Sequence, residues 1–375
     1  MDFDLTDEQV LLKNSVERLL ADRCPFDARR KLVASDVGWN RETWALLAEQ
    51  GLLAAPFDEA DGGLGGGPVE LMILGEAFGR SLLAEPFLAS IVLGGVALRA
   101  CADATLRAEL TPPVTAGERL LAFADDEAGA RSSEARPNTK AGLDGGVWRL
   151  SGTKTDVLHG ASADLLAVSA ATPNGTALFL VETAAPGVSA RGYRTFDGLR
   201  AAEIRFDNAS AQAVLAGPET ALDVLAKVRQ AGIAYMAAEA VGLCDMALAA
   251  SVDHIKTRKQ FGQTLASFQA LKHRAAEMMV QLEQLRSMAI YAAAMLTEPD
   301  PLEREKAFAA VKAVVGAAGV QIGQAAVQMH GGVGVTEEYR VGWALRRLHA
   351  IDLMFGDYET AAARLGELGG LVPAA

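Results

Sequence analysis

Apolar residues recur at the helical period through the first third of the chain. Thr6, with Gln9 three positions on, makes a capping-box pattern, and Val10, Leu12, Val16, Leu19 and Leu20 follow at helical spacing. Further helices are predicted around Trp44 to Leu53 and from Val69 to Leu83, with Arg41 to Glu49 supplying a charged face. Between about Leu120 and Gly217 the pattern changes. Gly146 to Leu150, Asp164 to Ser169, Ala177 to Val181 and Ala202 to Phe206 alternate or run apolar, and Asp144-Gly-Gly, Pro173-Asn-Gly and Asp207-Asn punctuate them, which predicts an antiparallel β domain. From Pro218 the helical period returns in long runs at 221–256, 267–296 and 301–329, the last closed by Gly331-Gly332, and helices of that length packed side by side form a bundle. The predicted fold class is therefore α+β multidomain: an N-terminal helical domain (1–118), a β-barrel-like middle domain (119–217) and a C-terminal four-helix bundle (218–375).

Composition narrows the function classes. The 375 residues are 50% hydrophobic and 22% charged, the balance of a soluble globular protein, and only 6% are aromatic, so much of the core must be small residues at close helix contacts. With 35 Lys and Arg against 47 Asp and Glu the net charge is −12, the wrong sign for a protein that grips a nucleic-acid backbone or an anionic membrane. Cys24, Cys101 and Cys244 are scattered and odd in number, which supports neither a disulfide framework nor a cysteine metal site. The acidic start of the chain lacks the pattern of a signal peptide, and the apolar stretches at 88–98 and 313–327 are too short or carry Gly and Gln, so no segment is read as membrane-spanning. A cytoplasmic location is expected.

The glycine cluster Asp61-Gly-Gly-Leu-Gly-Gly-Gly-Pro68 invites comparison with a phosphate loop. No Lys-Ser/Thr follows it and no strand clearly precedes it, so a plain turn between helices is the better reading. Two later stretches are more specific. One is Thr257-Arg-Lys-Gln-Phe-Gly262 followed by Phe268-Gln-Ala-Leu-Lys-His273. The other is Gln328-Met-His-Gly-Gly-Val-Gly334, with Thr336-Glu-Glu-Tyr339 and the pair Arg346-Arg347 after it. Together with Leu150-Ser-Gly-Thr-Lys154, Ala163-Asp164 and the helical, β, helical order, these motifs resemble the acyl-CoA dehydrogenase family over essentially the whole chain.

The resemblance implies that FAD lies between the β domain and the bundle of one subunit, with its pyrophosphate and adenine reaching a neighbouring subunit. It places Arg258, Gln260, Phe261, Gln269, Gln328, Gly331, Gly332 and Gly334 around the cofactor. Arg258 would offer a forked cation to pyrophosphate oxygens, and the glycines would let a dinucleotide approach main-chain N–H groups. Taken singly, Arg258 reads as an exposed helix-end charge and the glycines as a helix cap. His330 reads equally as packed in its loop or touching ligand, and His254, His273 and His349 show no paired metal-ligand spacing, so no metal is expected.

The family's reaction needs a carboxylate to take the α-proton of an acyl-CoA as the β-hydride passes to the flavin. This chain departs from the family's pattern there. The family's usual Glu falls on Phe355 or Gly356, and its alternative position on Gly232. Asp357 is one step away from the first position, although a capping or surface role competes for it. Glu239 lies seven residues beyond the second, about 10 Å along the helix, where a structural ion pair or subunit contact is the stronger reading. In the β domain the run that abuts the flavin in many relatives is replaced by Ala124-Asp-Asp-Glu-Ala-Gly-Ala130, and the usual Trp and Thr by Asp156 and Leu158. The acidic cluster Asp125, Asp126 and Glu127 is expected in a solvated loop.

The resemblance thus implies FAD-dependent α,β-dehydrogenation of an acyl-CoA, of fatty-acid or steroid side-chain type, with an electron-transfer flavoprotein as acceptor and a homo-oligomer, dimer or tetramer, as the assembly. A divergent chain without the usual Glu also fits a half-site subunit of a hetero-oligomer. A flavin-dependent monooxygenase on the same fold is a third reading, since that chemistry needs no α-proton base.

Overall fold

A computed structural model describes residues 4–129 and 136–371. Ala130, which ends the acidic run discussed above, lies outside the described residues. Eleven α-helices are described: α1 (Asp7–Arg23), α2 (Phe26–Ala34), α3 (Arg41–Glu49), α4 (Pro68–Ser81), α5 (Gly95–Arg99), α6 (Ala104–Thr115), α7 (Ala221–Thr257), α8 (Gln269–Met295), α9 (Pro301–His330), α10 (Arg340–Leu353) and α11 (Tyr358–Glu367). The strands between α6 and α7 are β1 (Leu121–Ala124), β2 (Lys140–Asp144), β3 (Val147–Leu158), β4 (Leu165–Thr172), β5 (Gly175–Glu182), β6 (Val188–Arg194), β7 (Arg200–Ser210) and β8 (Ala213–Ala216). By packing the chain divides into two compact units, one made of residues up to Lys31, Pro68–Leu83 and Ile233 onward, the other of Leu32–Gly67 with Ala84–Gly232. The N-terminal helices, expected as one domain, are shared between the two.

The all-helical unit is assembled by small residues. A Cβ on Gly79 would lie 2.1 Å from the Glu239 carbonyl oxygen, and one on Gly242 would lie 1.9 Å from that of Glu76, so α4 and α7 approach at backbone distance. Glycine is the residue that permits this. The predicted capping box starts α1: the Gln9 amide N–H donates to Thr6 Oγ1 and Thr6 N–H to Gln9 Oε1. At the rim Glu76 accepts from Arg80 and Arg286 and sits near Lys13, tying α1, α4 and α8. By length and composition α7 and α9 could cross a membrane, contrary to the expectation that no segment reads so, but both are largely buried in the fold as core helices.

In the other unit an eight-stranded sheet runs in the order β6-β7-β3-β2-β4-β5-β8, with β1 on β4. The expectation of a wholly antiparallel β domain needs correction: β1 pairs with β4 in parallel, as does the end of β2. Two of the three predicted turns hold, whereas Asp207-Asn208 lies within β7, where Asn208 is left-handed at φ 52°. Asp144 pairs with Val147 across Gly145 and Gly146, both at positive φ (56° and 85°), the conformation a two-residue hairpin loop requires. Thr172 pairs with Gly175 across Pro173-Asn174. Leu150, Leu166, Val168, Phe179, Ile204 and Phe206 form the core on one side of the sheet. The glycine run after α3 is a turn. The N–H groups of Leu64, Gly65 and Gly66 donate to the carbonyls of Ala54, Phe57 and Ala55 and so are not available to a phosphate.

Candidate functional site

Helix α7 ends at Thr257, and the chain turns through a tight hairpin in which Lys259–Gln260 pairs with Gln263–Thr264. Its tip residues, Phe261 and Gly262, are both left-handed, with φ of 53° and 81°. Glycine suits that conformation, whereas phenylalanine in it costs about 1–2 kcal/mol. Phe261 is 88% exposed, with the edge of its ring toward Phe268. A large apolar group held outward on a strained turn is suited to contact outside its own chain. Arg258 is exposed, and its guanidinium makes no ion pair among the described residues. Gln260 is exposed as well, and the Gln269 amide lies 3.3 Å from His273 Nε2.

The end of α9 comes to the same place. Gly331 caps the helix at φ 63°, and a Cβ on Gly331 or Gly332 would meet nothing within 4 Å, so this backbone is open to an approaching molecule. Gly334 differs: a Cβ there would be 2.8 Å from the Val327 carbonyl, and its place is in internal packing. His330 is packed too. Its ring lies between those of His254 (centroids 4.5 Å apart) and Tyr339 (4.8 Å), Nδ1 donates to the Ala326 carbonyl at 2.7 Å, and Nε2 is sealed from solvent without a partner. The His254–His330 stack holds the end of α7, with Arg258 one turn on, beside the open glycines. Gln328, exposed on α9, lines a polar groove of about 370 Å³ with Gln281, Gln321, Gln324 and Arg274. An uncommitted guanidinium, bare glycine backbone and amide side chains suit a diphosphate and the base attached to it.

The two candidate bases are both engaged elsewhere. Glu239 forms a buried two-pronged pair with Arg347, Nε to Oε1 at 2.7 Å and Nη2 to Oε2 at 2.8 Å, with side chains 9% and 5% exposed. Burial pushes the neighbouring Tyr235 phenol well above its usual range, and Glu239 adds to the effect. Asp357 caps α11, accepting from Thr360 N–H at 2.8 Å. That bond, and others to Thr360 and Glu359, hold its carboxyl below the usual carboxylate range, which makes it a weaker proton acceptor. At the position of the expected Glu, Phe355 and Gly356 are successive left-handed residues (φ 59° and 95°) that turn the chain into α11.

The acidic cluster of the β domain is not a solvated loop. Lys154 on β3 is fully buried and donates to Glu127 Oε1 at 2.8 Å, Ser169 Oγ at 3.0 Å and the Asp125 carbonyl at 3.0 Å. Asp125 in turn pairs with Arg229 and accepts from Ser169. Burial alone would raise the Glu127 carboxyl, but hydrogen bonds from Lys154 and Thr139 outweigh it and hold it at about 2. Burial also lowers the Lys154 ammonium, with Glu127 opposing. Asp126 reaches solvent, yet desolvation by the protein around it, then Asp125, pushes its carboxyl upward. Lys154 and Arg229 thus offset Glu127 and Asp125 charge for charge within the cluster. Sequence reasoning missed Lys154 and Arg229 as its counter-ions because each is far from it in the chain. Asp156, left-handed at φ 53°, accepts from the Tyr193 hydroxyl at 2.6 Å, and desolvation followed by Asp156 lifts that phenol to about 12.

Helices before and after a β-sheet, with an exposed Arg258 near open glycine backbone, fit the flavin-dependent oxidoreductase that the sequence motifs imply. Models of the N-terminal, middle and C-terminal domains of acyl-CoA dehydrogenase match residues 6–118, 121–209 and 225–368. The chain belongs to the acyl-CoA dehydrogenase family, whose activity is FAD-dependent dehydrogenation of acyl-CoA. Acyl-CoA dehydrogenase FadE27 of Mycobacterium tuberculosis is 29% identical over 91% of each chain. The short-chain-specific acyl-CoA dehydrogenase of Megasphaera elsdenii is 28% identical over 92% of this chain and 94% of its own. Among solved structures, the ChsE4–ChsE5 complex from Mycobacterium tuberculosis superposes with a TM-score of 0.91 at 27% identity over all of both chains. The Tcur3481–Tcur3483 steroid acyl-CoA dehydrogenase variant gives 0.89 at 29% identity, covering 96% of this chain and 97% of that one.

Proposed function

We propose that this chain carries out acyl-CoA dehydrogenation as one of two unlike subunits, the partner supplying the carboxylate that removes the α-proton. The observation that carries the reading is the engagement of both local candidates: Glu239 is locked on Arg347 and Asp357 caps a helix. Gly232, Phe355 and Gly356 have no group that accepts a proton. Two relatives described by paired names, ChsE4–ChsE5 and the steroid enzyme Tcur3481–Tcur3483, support a hetero-oligomer and make steroid-type acyl-CoA thioesters the first substrates to test.

In this reading Arg258 binds the FAD diphosphate. Gly331 and Gly332 admit it, and Gln260, Phe261, Gln269 and Gln328 line its path, while Gly334 supports the loop from behind. FAD, when bound, supplies the acceptor for the β-hydride, and an electron-transfer flavoprotein takes the electrons onward. The chain's own Lys154–Glu127–Asp125–Arg229 network keeps the β-domain edge rigid and nearly charge-neutral, so an acidic sequence there does not repel a reduced flavin.

The test is anaerobic flavin bleaching by a panel of short, long, branched and steroid-type acyl-CoAs. The chain is purified alone and also co-expressed with a related chain that carries the family's Glu. Bleaching by the pair and not by the single chain is expected. Full bleaching of a homo-oligomer of this chain alone would refute the division of labour.

A further inference from the structure

We propose that His254 is a second phosphate-binding cation of the Arg258 site and takes up a proton from solvent as a diphosphate docks. This rests on the reading above that the FAD diphosphate binds at Arg258. His254 lies in the last turn of α7, and the Arg258 N–H just beyond the helix donates to its carbonyl at 2.8 Å, so the two residues sit one turn apart at the helix end. The imidazole is half-buried, and its ring stacks on His330, 4.5 Å between centroids and 35° between planes. His330 is 5% exposed, directs Nδ1–H to the Ala326 carbonyl and leaves Nε2 buried without a partner. With that nitrogen sealed from solvent, His254 is the imidazole of the stack that a docking phosphate can reach.

The charged and titratable groups facing His254 are Asp253 on its own helix, Arg258 just beyond that helix's end and His330 on α9, with Tyr339 against His330. Burial, then His330 and Arg258, depress its basicity, and Asp253 opposes them. In the free protein these surroundings therefore favour the neutral imidazole, with Arg258 the cation beside it. A diphosphate reverses the balance: its negative charge beside His254 favours the imidazolium, whose N–H then donates to a phosphate oxygen. Binding and protonation are linked, and by reciprocity affinity rises as pH falls. One coupled proton sets a ceiling of about tenfold in affinity per pH unit.

The experiment strips FAD from the assembly that retains it and follows rebinding by flavin fluorescence between pH 6 and 8.5, with Arg258→Ala, His254→Phe and His254→Gln alongside. Wild type should lose affinity as pH rises, by several-fold per unit at the steepest. His254→Phe keeps a ring against His330 and should bind more weakly at pH 6 with little dependence on pH. His254→Gln, which keeps a hydrogen-bonding group, should be equally flat and serves if the Phe variant folds poorly, as judged by circular dichroism. A slope retained in both His254 variants, or lost instead in His330→Phe, overturns the proposal. If Arg258→Ala leaves FAD affinity unchanged, the placement of the diphosphate itself is wrong. If Arg258→Ala weakens binding while the His254 variants keep the wild-type slope, only the role of His254 falls.

Discussion

Replacing Arg347 by Met tests the assignment of Glu239 most directly. The wild-type guanidinium meets both carboxylate oxygens at 2.7 and 2.8 Å in a site that excludes most solvent. Methionine fills much of the same volume but donates nothing, and the Glu239 carboxylate is left buried without its counter-ion. Breaking one side of such a pair costs about 3–5 kcal/mol. In a cooperative unit of 150–250 residues, each kcal/mol lowers the melting temperature by about 2–4 °C, so a drop of roughly 6–20 °C is expected. The double variant Glu239→Leu/Arg347→Met removes both charges together and should recover most of the loss, because the cost lies in the unpaired charge rather than in the absent bond. Thermal and urea denaturation of the wild type, both single variants and the double variant complete the cycle. A loss below about 1 kcal/mol for Arg347→Met would sink the buried-pair description. If Glu239→Gln abolished flavin bleaching in an otherwise active assembly while leaving the melting temperature in place, Glu239 would be the base after all.

Other expectations are as direct. Asp357→Ala should cost about 1 kcal/mol through loss of the α11 cap, with turnover unchanged; a collapse of turnover at unaltered KM would restore Asp357 as a base candidate. Lys154→Met should cost about 3–5 kcal/mol and broaden the unfolding of the sheet unit, read by near-ultraviolet circular dichroism, since it leaves the buried Glu127 carboxylate without its counter-ion. Acid should act on the same pair. Glu127 is held near 2 when folded, against 4.5 when unfolded, so its contribution is full above about pH 4.5 and disappears as pH falls toward 2. An acid melt of wild type without that inflection, or one that Glu127→Gln leaves unaltered, would contradict it. Phe261→Asn should stabilise the hairpin by up to about 1 kcal/mol while weakening FAD retention, and a variant that retained FAD as the wild type does would remove Phe261 from the site.

Much of the architecture was legible because it rests on local chemistry. The Thr6 and Gln9 capping box, the Gly145-Gly146 reversal and the Gly331 helix cap each follow from a few adjacent residues. The long helices were legible for the same reason, as their apolar period extends over many turns. What escaped was non-local. β1, β2, β6 and β8 are short or lie at sheet margins, and β1 joins in parallel through a partner some forty residues away, for which no hairpin signal exists. The pairing of Glu239 with Arg347 spans 108 positions, and that of Lys154 with Glu127 spans 27 across two strands. An isolated carboxylate in an apolar run can be flagged, but the run itself does not reveal its partner. Membrane-scale apolar helices were underestimated because glycine and alanine dilute hydrophobicity, and these residues allow the helices to pack into a core rather than a bilayer.

Under the proposed division of labour, the paired carboxylates bear on how a fold can survive without a base of its own. A base must be partly desolvated and yet free to change protonation state, which makes its position costly for stability. In this chain three sheltered carboxylates each have a cation against them: Glu239 has Arg347, Glu127 has Lys154 and Asp125 has Arg229. With glycine at 232 and a left-handed Phe-Gly turn at 355–356, the sites where an uncompensated carboxylate would sit are uncharged. A chain relieved of that burden can keep its cofactor-binding end, where Arg258 remains unpaired and Gly331 and Gly332 remain open. Strain also persists at Phe261, on the hairpin proposed to bind the nucleotide. Strain kept on the hairpin while positions 232, 355 and 356 carry no charge is what the proposed subunit, holding cofactor for a reaction completed by another chain, would require.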